Sequence, residues 1–451
     1  MSLDYNMSVL PKELAYNKPM ASLPADTSSL NVIVRPSNGA VFDAGGDIIQ
    51  FDLPAHSFLV PSSLTLRAKF KVQAGTDASS DKMWGVPAAS WIQRCETIVG
   101  GNLIESIQSY GQLYNMIAFT KLNIAEKYGL AGEMAFVGGA SGNATDALTI
   151  NNLSGRTLAN TAANTETYGV ALPLGCLLSS CSELIPLGLM GGVRIQLTTA
   201  ALADFIEAHT ANTFGDFEIS DLELNFDLVS FGAGMDGVVA SMANAEGDIL
   251  LKSQGWNVNS INTSVAANQT QDLIFNTRLS SIKSLIYQGS GTYATNWNAK
   301  KPGAYGAMKV AGATGSTQFF VASTPFPPTP LREANQAELM SELRQAQGQV
   351  HDVYSTTSSI NPNQYITNSE IGTADGDMTH DEPPAHFVGV NTEKLSTNQV
   401  MLSGVSSQLS PINVRLTSSA AGNAAFTSTL FCLYDALLSI NIPSRVLSVR
   451  V

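Results

Sequence analysis

The stretch Val193-Arg194-Ile195-Gln196-Leu197-Thr198-Thr199-Ala200 alternates apolar and polar side chains, and Val414-Arg415-Leu416-Thr417-Ser418-Ser419-Ala420 echoes it late in the chain. A period of two sets one face of a strand in a core and the other in water. The same period runs through Leu64–Gln73, Leu222–Leu228 and Ile412–Thr417. Three further echoes accompany the first. Asp47-Ile48-Ile49-Gln50-Phe51 resembles Asp272-Leu273-Ile274-Phe275, Ser62-Ser63-Leu64 resembles Ser280-Ser281-Ile282, and Phe226-Asp227 resembles Tyr434-Asp435. The partners are separated by 208 to 225 residues. Four echoes at nearly one spacing predict a duplicated β unit of about 200 residues.

The expected class is therefore all-β, two tandem β sandwiches with a few short loop helices. We place an N-terminal arm at 1–30, a first domain at 31–235 and a second at 236–451. The boundary falls in the Gly-rich segment Phe231–Gly247. Gly-, Ser-, Asn- and Pro-rich segments such as Ala74–Val86, Gly138–Tyr168 and Tyr365–Ala385 read as loops, because strand patterns resume after each. Two helices are expected, Ser109–Leu122 and Leu331–Gln347, the second after a Pro-rich stop at Pro325–Pro330. Both read as helices lying over a sandwich.

Of 451 residues, 44% are hydrophobic, enough for large cores, while 14% are charged against the ~25% of an ordinary soluble domain. Sparse charge suits flanks that are hidden against sister molecules, where each buried ion would carry a desolvation cost. The 24 basic and 37 acidic residues leave a net charge of −13. With no Lys/Arg run to neutralise phosphates, direct specific nucleic-acid binding is not expected. Met1–Asn31 carries no secretory signal pattern, and no stretch approaches the ~20 apolar residues of a membrane span. Cys95, Cys176, Cys181 and Cys432 are too few for a disulfide framework and read as reduced, mostly buried thiols, consistent with folding in a cytosol.

Ile98-Val99-Gly100-Gly101-Asn102-Leu103-Ile104-Glu105 followed by the helix at Ser109–Leu122 resembles a segment of the double jelly-roll major capsid proteins, as do Ile185-Pro186-Leu187-Gly188-Leu189 before Val193–Leu197 and the closing strand Leu433–Ile440. That family includes the adenovirus hexon and the shell proteins of tailless membrane-containing phages, virophages and large icosahedral DNA viruses. The resemblance spans about Asn31 to Val451. It implies two eight-stranded jelly rolls and a pseudo-hexagonal homotrimeric capsomer. Such capsomers tile an icosahedral virion shell around the genome, beside neighbouring capsomers and minor capsid or penton proteins. It also implies synthesis and assembly inside the host cell, and an N-terminal arm that touches a neighbouring capsomer or an internal viral membrane.

A catalytic constellation is not found. Only His56, His209, His351, His380 and His386 are available as bases. Gly138-Gly139-Ala140-Ser141-Gly142 has the wrong spacing for a nucleophile elbow. Ala311–Thr317 lacks the lysine of a phosphate loop. Asp375, Asp377, His380, Asp381, Glu382 and His386 form the one dense polar cluster, read as a solvated acidic loop ahead of a cation site. Asn143, Asn152 and Asn268 read as plain loop residues in spite of their glycosylation-acceptor pattern. No catalytic, cofactor or metal residue is assigned, and no cofactor or enzymatic activity is expected. The alternative function is a secreted or surface β-sandwich binding module, an adhesin or fibre, but Trp84, Trp91, Trp256 and Trp297 are scattered and form no platform. A hydrolase would need paired carboxylates, and none stands out.

Overall fold

The computed structural model describes residues 27–73, 82–84, 86–121, 130, 133–134, 155–157, 165–207, 217–231, 237, 241, 248–266, 268–291, 315–332, 335–348, 387–393, 403–418, 423–441 and 443–450. Sixteen strands carry the architecture. In the first half they are β1 (Ser28–Val34), β2 (Ile48–Leu53), β3 (Thr65–Gln73), β4 (Ile92–Val99), β5 (Asn102–Gln108), β6 (Thr165–Pro173), β7 (Val193–Thr199) and β8 (Phe217–Ser230). In the second they are β9 (Ile249–Val265), β10 (Thr270–Phe275), β11 (Ile282–Gly291), β12 (Ser316–Val321), β13 (Thr324–Arg332), β14 (Phe387–Asn391), β15 (Ile412–Thr417) and β16 (Asn423–Asn441). Short strands at Val41–Asp43, Phe58–Leu59, Ile185–Pro186 and Val446–Arg450 extend the larger sheets.

The pairing repeats with a shift of eight strands. One sheet of the first half runs β1-β8-β3-β6, all antiparallel, and its counterpart runs β9-β16-β11-β14. The facing sheet runs β2-β7-β4-β5, and its counterpart β10-β15-β12-β13. Among the described residues no sheet mixes strands from before Ser230 with strands from after Ile249. Each half is thus an eight-stranded jelly-roll sandwich. The alternation read in the sequence lands on the core: Leu66, Ala68 and Phe70 of β3, Ile195 and Leu197 of β7, Leu224 and Phe226 of β8, and Val414 and Leu416 of β15 are all buried.

The repeat extends to single interactions. Arg194 grips Asp52 across β7 and β2, with Nε to Oδ1 at 2.7 Å and Nη2 to Oδ2 at 3.3 Å. Arg415 grips Asp272 across β15 and β10 in the same way, at 2.7 and 3.2 Å. Each arginine holds its aspartate below the usual carboxylate range. Thr97 and Thr317 sit fully buried, opposite Ile195 and Leu416. Ser63 Oγ accepts from the Asp227 amide at 2.9 Å, and Ser281 Oγ donates to Asp435 Oδ2 at 2.9 Å. The serine and the aromatic-Asp echoes therefore mark equivalent places. The Asp47 echo does not. The structural partner of Asp272 is Asp52, five residues further on, and the reading through Asp47 matches exposed Ile48 to buried Leu273. An odd shift along a strand exchanges its two faces, which excludes that register.

Because both Asp–Arg pairs are half exposed, each contributes little, roughly 0.2–1 kcal/mol. Asp52→Asn and Asp272→Asn are expected to lower denaturant stability by the same small amount. A cost several times larger at one of them would break the equivalence.

Two helices follow equivalent strands. α1 (Tyr110–Lys121) comes after β5, with Leu113 and Met116 in the core. α2 (Gln336–Ala346) comes after β13 and starts five residues later than its sequence expectation. Asn335 caps it: its Oδ1 accepts from the Glu338 amide, and its Nδ2 donates to the Glu338 carboxylate at 2.9 Å. Leu339, Leu343 and Ala346 bury one face, and Leu343 and Ala346 seat on Gly389 of β14, where a Cβ would stand 2.8 Å from Leu343. The Pro-rich segment read as a stop is strand β13. It lies at a sheet edge, where the missing proline N–H groups forfeit no ladder bond. Likewise Gly155–Thr157 and Thr165–Tyr168 are strands within a segment read as loop.

Candidate assembly surfaces and the seam between the halves

The seam is built on β5, which lies beside β9. The Gly-Gly turn before it sets its position: Gly100 and Gly101 adopt φ of 58° and 82°, the left-handed pair that closes a two-residue hairpin between β4 and β5. The segment Gly175–Ser182 bridges β5 to β9. The Leu177 amide donates to Glu105 Oε2 at 2.7 Å, Ser253 Oγ donates to the Leu177 carbonyl, and the Ser182 amide donates to the Lys252 carbonyl. Gly255 lets the strand pass close, since a Cβ there would stand 2.6 Å from the Tyr434 ring and 2.9 Å from Leu177. At one end of the seam the Gly191 amide donates to the Arg445 carbonyl at 3.1 Å. Gln347, which caps α2, donates to Thr120 Oγ1 of α1 at 2.7 Å, so the two equivalent helices also touch.

Glu105 is buried in this seam. Burial lifts its carboxyl from an ordinary 4.5 to about 8, against the pull of the Leu177 amide. The native state thus retains a proton that the unfolded chain releases, so stability falls as pH rises from about 4.5 to about 8. Glu105→Gln removes the titration. Its melting temperature is expected to stay level across that window and to exceed wild type by several degrees at pH 8. Parallel pH profiles for the two proteins would refute the assignment. The thiols near this seam are inert: burial pushes Cys176 up to about 11 and Cys181 up to about 12, and Cys95 and Cys432 also rise. All four are free and buried.

The outer flank of the first half is different. Among the described residues β1 pairs with β8 alone and β2 with β7 alone; the outer backbone groups of β2 at Ile48 and Gln50 are taken by Ser37 and Asn38, so the free edge is β1. On and beside them Leu30, Ile33, Val41 and Ile48 are exposed. In the second half the equivalent strand β9 lies beside β5, with Leu250 and, on β10, Ile274 still exposed; among the described residues no strand lies beside the first flank in that way.

Apart from Lys283, Glu393 and Asp435, the polar and aromatic residues singled out in the sequence are not gathered among the described residues. The cluster Asp375–His386 lies outside the described residues, as do His209, His351, Trp297, Asn143 and Asn152. His56 is exposed beside Ser57, and Trp91 is fully buried in the core. A cleft of about 190 Å3 is lined by Ser90, Gln93, Gln112, Asn115 and Asp204, without histidine or cysteine. Among the described residues no group of three His, Cys, Asp or Glu side chains is placed to hold a metal ion.

No protein-family model and no curated protein matches the chain. Solved structures do. PBCV-1 VP54 is 9% identical and superposes over 97% of this chain and 99% of its own, with a TM-score of 0.58. This chain is a double jelly roll. The faustovirus major capsid protein, 9% identical, matches the double jelly roll over 93% of this chain and 91% of its own, TM-score 0.56. The mavirus major capsid protein, 11% identical, does so over 98% and 95%, TM-score 0.50. At such identities the likeness is one of fold, and it runs through both halves of the double jelly roll.

Proposed function

We propose that the chain is a major capsid protein, assembled as a homotrimeric capsomer that tiles an icosahedral virion shell. The observation that carries this reading is the apolar flank along β1 and beside β2, which among the described residues no further strand covers. Within the chain, the matching flank of the second half, at β9, docks on β5 of the first. Repeating that contact from the β13–β14 side of one copy onto the β1–β2 side of the next adds two sandwiches per chain. A ring of six sandwiches then closes with three chains. Leu30, Ile33 and Ile48 are the apolar side chains that such a contact would bury. Solved structures of the same fold include the major capsid proteins of faustovirus and mavirus.

In this reading the outer sides of the trimer meet neighbouring capsomers and minor or penton proteins. The arm, 1–30, reaches a neighbour or an internal membrane. Its last three residues already belong to β1.

The test is molar mass in solution. Wild type is expected at three times the 47.6 kDa of one chain. The double variant Leu30→Asp with Ile33→Asp, which leaves the core untouched, is expected at the mass of one chain with an unchanged circular dichroism spectrum. A monomeric wild type, or a trimeric double variant, would count against the flank as the trimer contact.

A further inference from the structure

Lys283 of β11, Glu393 just after β14 and Asp435 of β16 form a charged cluster that the assembly reading does not use. Asp435 is fully buried. Its Oδ2 accepts from Ser281 Oγ at 2.9 Å and from the Ser403 amide at 2.9 Å, and Ser403 Oγ, 3.0 Å away, has one proton to share between Oδ2 and Glu393. Its Oδ1 accepts none, and the Lys283 ammonium stands 3.9 Å from it. Lys283 Nζ is also 3.2 Å from Glu393 Oε1, which accepts from Ser403 Oγ at 2.7 Å. An amine, a carboxyl and a second carboxylate that can move protons are thus held together in a site largely closed to water. The lysine side chain is 17% exposed.

We propose that Lys283 and Asp435 join in an intramolecular isopeptide bond, with Glu393 as the proton carrier. Glu393 takes a proton from the Lys283 ammonium and hands it to Oδ1 of Asp435, so a neutral amine faces a neutral carboxyl and the Nζ lone pair attacks Cγ. The Ser281 hydroxyl and the Ser403 amide on Oδ2 hold the negative charge that develops there, as an oxyanion hole does. Glu393 then passes a second proton from nitrogen to Oδ1. The C–Oδ1 bond breaks, one water leaves carrying two protons that began on Nζ, and the amide keeps the third. Charge and atoms balance: ammonium and carboxylate become amide and water, and Glu393 ends as it began. No oxidant or cofactor is required. Reaction needs Nζ to close to the ~3–3.5 Å of a near-attack geometry, a small adjustment for a four-carbon stem. The bond would tie β11 to β16 across about 150 residues of chain. A cross-link over so long a loop strongly restricts the unfolded state.

The inference is independent of the capsid reading and is tested by mass. Wild-type protein, unfolded and measured intact, is expected to be 18 Da lighter than its sequence (one water lost;). Proteolysis should yield a branched peptide joining Lys283 to Asp435. Glu393→Gln and Lys283→Arg should each retain full sequence mass, and a normal circular dichroism spectrum for Lys283→Arg keeps the comparison on folded protein. Wild type at full mass after prolonged incubation would overturn the proposal. So would an 18 Da loss without the branched peptide, which places the dehydration at another residue.

Discussion

A Gly404→Ala variant is expected to be among the most damaging single substitutions in the second half. Gly404 lies against the start of β11, where Val405 and Ile282 exchange backbone hydrogen bonds at 3.0 and 2.8 Å. The Gly404 amide itself donates to Ser281 Oγ at 2.8 Å. A Cβ on this residue would overlap the Ile282 carbonyl and stand 2.7 Å from the Ile282 amide nitrogen. These are backbone atoms of a central strand and cannot turn aside as a flexible side chain can. Relief requires the 403–407 segment to lift, which breaks both bridge bonds and strips donors from Asp435. Overpacking of this rigid kind costs on the order of 3 kcal/mol or more. That corresponds to roughly 10 °C in the melting transition of the affected half. Calorimetry on the purified variant checks it. A shift below about 2 °C would show that the segment yields and that the close approach is not needed.

Trp91→Ala is expected to damage the first half by a different route. Trp91 is fully buried, with its ring edge-on to Phe70 at 6.0 Å, and its Nε1 donates to the Ala88 carbonyl at 2.8 Å. Its own carbonyl accepts from the Ala200 amide at 2.7 Å, so the indole is anchored where the Pro87–Ser90 helical turn enters β4. Removing it opens a cavity in a packed aromatic cluster with Phe70, Phe217 and Phe205. Large aromatic deletions of this type cost about 3–5 kcal/mol. Urea titration should show the first half unfolding at clearly lower denaturant, while Trp91→Phe recovers much of the loss. Equal stability of the Ala and Phe variants would mean that the pocket collapses around the gap.

The strands with clean alternation were legible because their two faces meet different solvents. Val193–Thr199, Leu222–Leu228 and Ile412–Thr417 all report a core on one side. β9 was not legible, because its polar run Asn257–Thr263 looks like loop although it pairs with β16 along its length. β13 was misread through its prolines, whose cost vanishes only at an edge, and an edge is a tertiary fact. The repeat was visible, but one of its four echoes was out of register because string similarity ignores which face a residue serves. Lys283 and Glu393 gave no sequence signal, and Glu105 and Asp435 showed only as members of a motif and of an echo. Their partners lie tens to hundreds of residues away along the chain, at Leu177 for Glu105 and across β11, β14 and β16 for the others. The turn at Gly100-Gly101 is set locally, by two adjacent residues at positive φ.

The central claim is that one sandwich occurs twice per chain and that the contact between the two copies is used again between chains. Electron cryomicroscopy of the purified protein, reconstructed without imposed symmetry, tests it most directly. The account predicts a three-fold particle of six similar β sandwiches, with the β1–β2 flank of each chain covered by the next. A particle of two-fold symmetry, or a three-fold particle that leaves Leu30 and Ile33 in solvent, would contradict it.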